Sequence, residues 1–214
     1  FPSYYSTEWG ATFKADSLEF MAALPEKCVN LVMTSPPFAL QRKKEYGNVD
    51  AKDYIEWLTP FAQQIHRILV DDESFVIDIG GSWEKGQPTR SLYHLEIVIA
   101  FVRDIGFHLA QEFFWYNPAK LPTPAEWVNV RRVRVKDAVN TIWWLAKTQY
   151  PKANNRNVLV EYSESMKGLL VNGYKAKLRP SGHDISTKFS RDNGGAIPSN
   201  MLQIANTESN SVYL

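Results

Sequence analysis

Apolar positions along the chain switch repeatedly between a strand-like and a helix-like period. ATFKAD (11–16) fits a short strand ending at Asp16, and SLEFMAAL behind it opens with Ser17, a residue type that caps helices. VNLVMTS (29–35) is a continuous apolar run of strand length and predicts a buried strand. After a basic loop, Trp57, Leu58, Phe61, Ile65, Ile68 and Leu69 recur at helical spacing, with Pro60 expected to start or kink that helix. SFVID (74–78) predicts a short strand stopped by Gly80 and Gly81. SLYHLEIVIAFVRDIG predicts a helix closing on Gly106, and FHLAQEFFWYN a long strand running into Pro118. AVNTIWWLAKT (138–148) is a further strand that puts Trp143 and Trp144 on opposite faces. Strands alternating with helices predict an α/β fold with a mainly parallel sheet.

Beyond this pattern the texture changes. PAKLPTPAEWVNVRRVRVKD is a proline-bounded basic loop, and after Thr148 the periodicity fades. The stretch LRPSGHDISTKFSRDNGGAI (178–197) is rich in Arg, Lys, Ser, Asn and Gly without a clear period. The expected division is therefore an α/β portion over 1–148 and a loop-rich basic module over 149–214.

With 44% hydrophobic and 13% aromatic residues among 214, the chain can bury a substantial core. No apolar run approaches the roughly 20 residues that span a bilayer, so no membrane partner is expected. Cys28 is the single cysteine, which excludes an internal disulfide and a cysteine-based zinc cluster and suits the cytoplasm as location. The histidines, His66, His94, His108 and His183, lack metal-ligand spacing, and no metal site is expected. The net charge of +1 conceals an asymmetry: residues 1–110 carry 10 Lys+Arg against 15 Asp+Glu, and residues 111–214 carry 14 against 8. A basic second half is what a surface facing a polyanion looks like, although solvated charge produces the same imbalance.

The chemistry concentrates in VMTSPPF (32–38), where an apolar strand runs into a serine, two prolines and an aromatic residue. Proline cannot continue a sheet ladder, so Ser35 stands at a strand end, where open α/β sheets bind ligands. Composition alone also allows a proline-rich turn with Phe38 buried. Asp78 ends the neighbouring strand; it is either a partner for Ser35 or a residue capping a turn.

A strand followed by Ser-Pro-Pro-aromatic resembles the catalytic loop of DNA methyltransferases that methylate exocyclic amines, and Ser before Pro-Pro resembles their cytosine-N4 branch. The likeness extends through ADSLEF, MTSPPFALQRKKEYGN, SFVIDIGG, FFWYNPAKLPTPAEWVN, RVKDAVNTIWWLAKT and RPSGHDI to KFSRDNGGAIP, in the order of the family's β class. The resemblance implies a doubly wound sheet of the class I methyltransferase type, S-adenosylmethionine as cofactor and double-stranded DNA as substrate, in restriction-modification. It implies that Ser35, Pro36, Pro37 and Phe38 act on a flipped base and that Ser35 and Asp16 face the cofactor, Asp16 being otherwise a helix cap; Asp78, as a partner of Ser35, would orient its hydroxyl or take up the proton the amine loses. Trp115, Tyr116 and Asn117 correspond to the segment lining the base pocket. Arg179, His183, Lys188 and Arg191 fall in the target-recognition region, and a short palindrome with a central GC, such as CAGCTG, is the implied site.

The glycine-rich loop that holds the methionine part of the cofactor has no counterpart; Asp78-Ile-Gly-Gly-Ser82 follows the catalytic strand and one helix, which fits a different family segment. The expectation is an incomplete class I sheet whose C-terminal cofactor-binding segment is the rest of the same chain or a second subunit. Adenine-N6 methylation and a non-enzymatic DNA-binding specificity module remain as alternatives. A serine hydrolase fits poorly, because Ser35 lacks the glycine-flanked elbow.

Overall fold

A computed structural model describes residues 1–39, 49–173, 180 and 191–205. The chain forms two compact units: Phe1–Lys152 together with the stretch from Asn200, and Ala153–Ser199. In the first, β1 (Tyr5–Thr7) and β2 (Gly10–Thr12) make an antiparallel hairpin. The strand expected over 11–16 therefore ends at Thr12. Asp16, rather than Ser17, caps α1 (Ser17–Ala22): its Oδ1 accepts from the Leu18 and Glu19 amides at 2.9 and 3.1 Å, satisfying two donors that the first helical turn leaves open.

The main sheet joins β3 (Val29–Thr34), β4 (Leu69–Ile79), β5 (His108–Tyr116), β6 (Val139–Ala146) and β7 (Met201–Gln203) in the order β3-β4-β6-β5-β7. α2 (Tyr54–Ile68) connects β3 to a parallel β4, and α3 (Tyr93–Ala100) follows β4. A π turn, Phe101–Ile105, extends α3 and closes on Gly106 at φ 95°, a left-handed conformation that favours glycine. β5 and β7 are also parallel, but β6 is antiparallel to both neighbours. The sheet is thus mixed, because a loop rather than a crossover helix joins β5 to β6. Pro60 lies inside α2 and does not start it.

The core fills the space between this sheet and α2 and α3. Phe75, Ile77 and Ile79 alternate inward along β4, with Trp143 and Leu145 from β6, against Leu58, Ala62 and Ile65 of α2 and Ile97 of α3. The two tryptophans divide as expected: Trp143 is in this core, and Trp144 donates from Nε1 to Ser74 Oγ at 2.8 Å. β4 is longer than SFVID because the polar stretch after α2 is already extended, Leu69 pairing with Val29 before a register shift. β3 differs from its expected burial. It is an edge strand, and Leu31 and Met33 are 56% and 74% exposed. No helix among the described residues is long and apolar enough to cross a membrane.

In the second unit, Ser163 Oγ accepts from the Met166 amide at 3.3 Å and caps α4 (Glu164–Asn172). An antiparallel bridge joins Val160 to Ala196, and a Cβ at Gly195 would lie 2.8 Å from the Val160 carbonyl oxygen, so only glycine fits that approach. The stretch read from sequence as one module over 149–214 therefore divides. Residues from Asn200 return to the sheet: the Phe114 amide donates to Asn200 O at 2.9 Å, and Asn200 Nδ2 donates to Glu112 O at 3.0 Å.

Candidate active site

Because β3 and β4 run parallel, Ser35 and Asp78 emerge at neighbouring carboxyl ends. β3 stops at Thr34 since Pro36 and Pro37 have no amide hydrogen to offer a ladder. Ser35 Oγ donates to Asp78 Oδ2 over a long 3.4 Å. Ser35 is exposed, whereas Asp78 is half-buried and its Oδ1 is buried without a hydrogen-bond partner. Burial raises the Asp78 pKa above the usual carboxylate range, outweighing its polar neighbours Ser35 and Asn140 and the charge of Lys120, which act to lower it.

The tetrapeptide Ser35–Phe38 stands between two cavities. One, of about 530 Å³, is walled by Ser35, Pro36, Pro37 and Asp16 over an apolar floor that includes Trp57 and Ile77. The other, of about 630 Å³, is lined by Phe38, Gly80, Trp83, Lys120, Trp127 and Asn140 among others. The Phe38 ring rests on Gly80: a Cβ there would lie 2.7 Å from Phe38 Cε2 and 3.2 Å from Asn140 Oδ1. At the mouth of this second cavity, Trp83 Nε1 donates to Asp137 Oδ2 at 2.7 Å. Arg90 pairs with the same carboxylate and lies over the Trp83 ring, 5.3 Å from its centre.

Two buried tyrosines lie behind the loops. Tyr54, the first residue of α2, donates from its hydroxyl to Pro37 O at 2.8 Å, and Tyr93, the first residue of α3, donates to Gly80 O. Sequence reasoning did not single them out, since each reads as one more apolar position of an amphipathic helix. Their signal was the hydroxyl, which a fully buried tyrosine has to place on a partner.

Trp115, Tyr116 and Asn117 line neither cavity. Trp115 Nε1 donates to Ile204 O at 2.9 Å, tying β5 to the end of β7. Asn117 is buried and holds a turn, accepting from the Ala119 amide at 3.1 Å and donating its own amide to Ala138 O at 2.8 Å. Asn140, the cross-strand neighbour of Trp115, is what reaches the second cavity. In the second unit Arg191 is exposed and borders a cavity with Asn155, Arg156 and Asn193. The Tyr162 hydroxyl anchors this loop, donating to Asp192 Oδ1 at 3.1 Å and accepting from the Asn193 amide at 2.8 Å. Arg179, His183 and Lys188 lie outside the described residues.

This sheet, with its site at the carboxyl ends of β3 and β4, has the class I methyltransferase fold. A solved structure of PvuII DNA methyltransferase, described as cytosine-N4-specific, matches it with a TM-score of 0.71 and 44% identity, over 95% of this chain and 60% of that one. Residues 29–210 match the N6/N4 DNA methylase family, and the chain belongs to that family. The type II methyltransferase M.PvuII of Proteus hauseri is 52% identical over 213 residues, 98% of this chain and 63% of its own length. M.SfiI of Streptomyces fimbriatus is 28% identical over 132 residues, 52% of this chain and 31% of its length. The chain thus spans less than two thirds of the length of these curated relatives.

Proposed function

We propose that the chain is the catalytic and target-recognition portion of a DNA methyltransferase that methylates the exocyclic N4 of a flipped cytosine in duplex DNA, in restriction-modification. The observation that carries this reading is the Ser35–Asp78 pair beside Pro36 and Pro37, at the carboxyl ends of adjacent parallel strands. A cytosine amine is a poor nucleophile because its lone pair is delocalised into the ring. Ser35 Oγ and the Pro36 carbonyl accept its two hydrogens and favour a pyramidal nitrogen, and the prolines keep both acceptors in place. Asp78 holds the serine hydroxyl hydrogen, so the serine lone pairs face the amine. With a pKa raised by burial, its carboxylate also takes up the proton that the methylated amine loses. Phe38 sets the Cδ2–Cε2 edge of its ring over Gly80 and lines the second cavity, where it would stack on the extruded base, whose flipping costs a few kcal/mol. When bound, S-adenosylmethionine supplies the electrophilic methyl group. The apolar cavity beside Ser35 fits its purine, and Asp16 stands at the rim to accept from the purine amine. Methyl transfer from tritiated cofactor to duplex DNA, followed by nucleoside analysis, tests the reading. N4-methylcytosine is the expected product; N6-methyladenine, or no labelled base, overturns it.

The same reading assigns the methionine end of the cofactor to a segment outside these 214 residues, from the same polypeptide or a second subunit. The β3 edge, which no other strand among the described residues covers, supports this, as Val32 and Thr34 line the cofactor cavity while Leu31 and Met33 are exposed. Calorimetry on the 214-residue chain should find binding of S-adenosylmethionine weak or absent. Micromolar affinity would make the cavity sufficient by itself.

For Asp78→Asn the expected result is low turnover at every pH. The parent should lose activity as pH falls through the raised Asp78 pKa, and the variant should lack that limb. The sign for stability is opposite. A raised native pKa means the fold holds the proton more tightly than the unfolded chain does, so between the two pKa values stability falls as pH rises. At neutral pH the variant, free of the buried charge, should melt no lower than the parent. An unchanged pH–rate profile would leave Asp78 a structural residue.

Target recognition is assigned to the stretch from Arg179 to Arg191, with Arg179 and His183 reading bases. Alanine at either should relax discrimination against single-mismatch duplexes by roughly 1–3 kcal/mol. Alanine at the exposed Arg131 or Arg132 should weaken all duplexes alike. Methylation rates on a mismatch panel separate the two outcomes, and full discrimination in the Arg179 and His183 variants would put the reading surface elsewhere.

A further inference from the structure

We infer that Tyr54 and Tyr93 form one internal brace that locks the Ser35–Phe38 loop and the Gly80–Gly81 loop together as a single rigid site, making both tyrosines positioning residues for the proposed reaction. Four contacts close a circuit. Tyr54 OH donates to Pro37 O at 2.8 Å; the Tyr54 and Tyr93 rings meet edge to face, 5.0 Å between centres and 66° between planes; Tyr93 OH donates to Gly80 O; and the Phe38 ring closes back onto Gly80. The Ala39 backbone also hydrogen-bonds the Tyr93 oxygen, so one hydroxyl touches both loops directly.

The chemistry explains why the brace is tyrosine. Both side chains are buried, at 0% and 1% exposure, and water does not stand in for a lost hydroxyl there. The Pro37 carbonyl, held inward by Tyr54, is withdrawn from the acceptors the loop can offer a ligand. Burial pushes the Tyr93 pKa up to about 12 and the Tyr54 pKa higher still, so both stay protonated donors wherever the protein is folded. The geometry needed from Ser35, the Pro36 carbonyl and Phe38 is thus set from beneath, by residues that never touch the base.

The inference rests on the methyltransferase reading for its consequence and on geometry alone for the coupling, so two measurements on the full-length protein keep them apart. Hydrogen exchange is followed in the peptides covering residues 35–39 and 80–82. In Tyr54→Phe, which contacts only the first loop, exchange should rise about tenfold in both. Tyr93→Phe should do the same, and serves as a second variant if the first folds poorly. Faster exchange confined to 35–39 in Tyr54→Phe would overturn the brace, whatever the protein's activity. In single-turnover methylation both variants should lose about tenfold in rate while the Kd for duplex DNA stays within about twofold. Coupled exchange with an unchanged rate would overturn the positioning role and leave a structural pair. Absence of methylation in the parent would overturn the methyltransferase reading and leave the exchange result to decide the brace.

Discussion

Ser35→Ala should reduce methyl transfer by about two to three orders of magnitude while leaving duplex affinity within about twofold. The serine oxygen is an acceptor placed at the atom that changes hybridisation, so its removal is felt in the transition state and hardly at all in a complex held by phosphate contacts. It also takes the Ser35 hydroxyl from Asp78 Oδ2, leaving Asn140 as the neighbouring hydrogen-bonding side chain while Oδ1 has no partner. The alanine variant therefore carries a half-buried carboxylate with no hydrogen bond from Ser35, and its pKa should rise further. Phe38→Ala removes a stacking surface worth roughly 1–3 kcal/mol and should show the same separation to a lesser degree. Single-turnover rates with tritiated cofactor, set beside anisotropy measurements of binding, check both. Equal losses of affinity and rate would mean that the tetrapeptide holds DNA and does not act on the base.

Gly80→Ala is the second large effect expected, and nothing in the chemistry of glycine as a catalyst predicts it. The added Cβ would stand 2.7 Å from Phe38 Cε2, closer than side chains tolerate, and 3.2 Å from Asn140 Oδ1, a tight contact that a small shift relieves. The backbone has little room to retreat, because the Gly80 carbonyl is held by Tyr93 from below. The ring must swing away from Gly80 and into the cavity it lines, where a base would stack. Turnover should fall by about one to two orders of magnitude. The check is a double-mutant cycle: if the damage passes through Phe38, Gly80→Ala costs little more in a Phe38→Ala background. Full additivity of the two losses would place the effect on Asn140 or the strand instead.

The tetrapeptide itself was legible because its signal is local. Two prolines end a strand whatever surrounds them, and the serine before them is then at a strand end. Asp78 was legible for a related reason, since a polar residue closing an apolar strand before Gly80 and Gly81 has few places to go. The wall of the second cavity was not. Asn140 sits mid-pattern in a strand whose period reports only which face it occupies, Trp83 reaches the cavity from a loop, and Trp127 from the single helical turn Glu126–Val130, too short to show a period. Asn117 entered as a base-pocket residue only through the family resemblance, and what the sequence did not show is the turn its side chain and amide hold.

Taken by itself, the amino-acid order determined the α/β class, the approximate places of α2, α3, β3, β5 and β6, and the chemical character of the loop after β3. Those follow from periodicity, proline and glycine, which act within a few residues of themselves. The tertiary structure alone decided the direction of β6, the return of β7 to the sheet, the exposed edge at β3 and the meeting of Tyr54 with Tyr93. Each of these depends on pairing between segments far apart in the chain, where the gain comes from complementary surfaces and from carbonyls that find donors. A three-residue strand or a single buried hydroxyl leaves no periodic trace of such a partner.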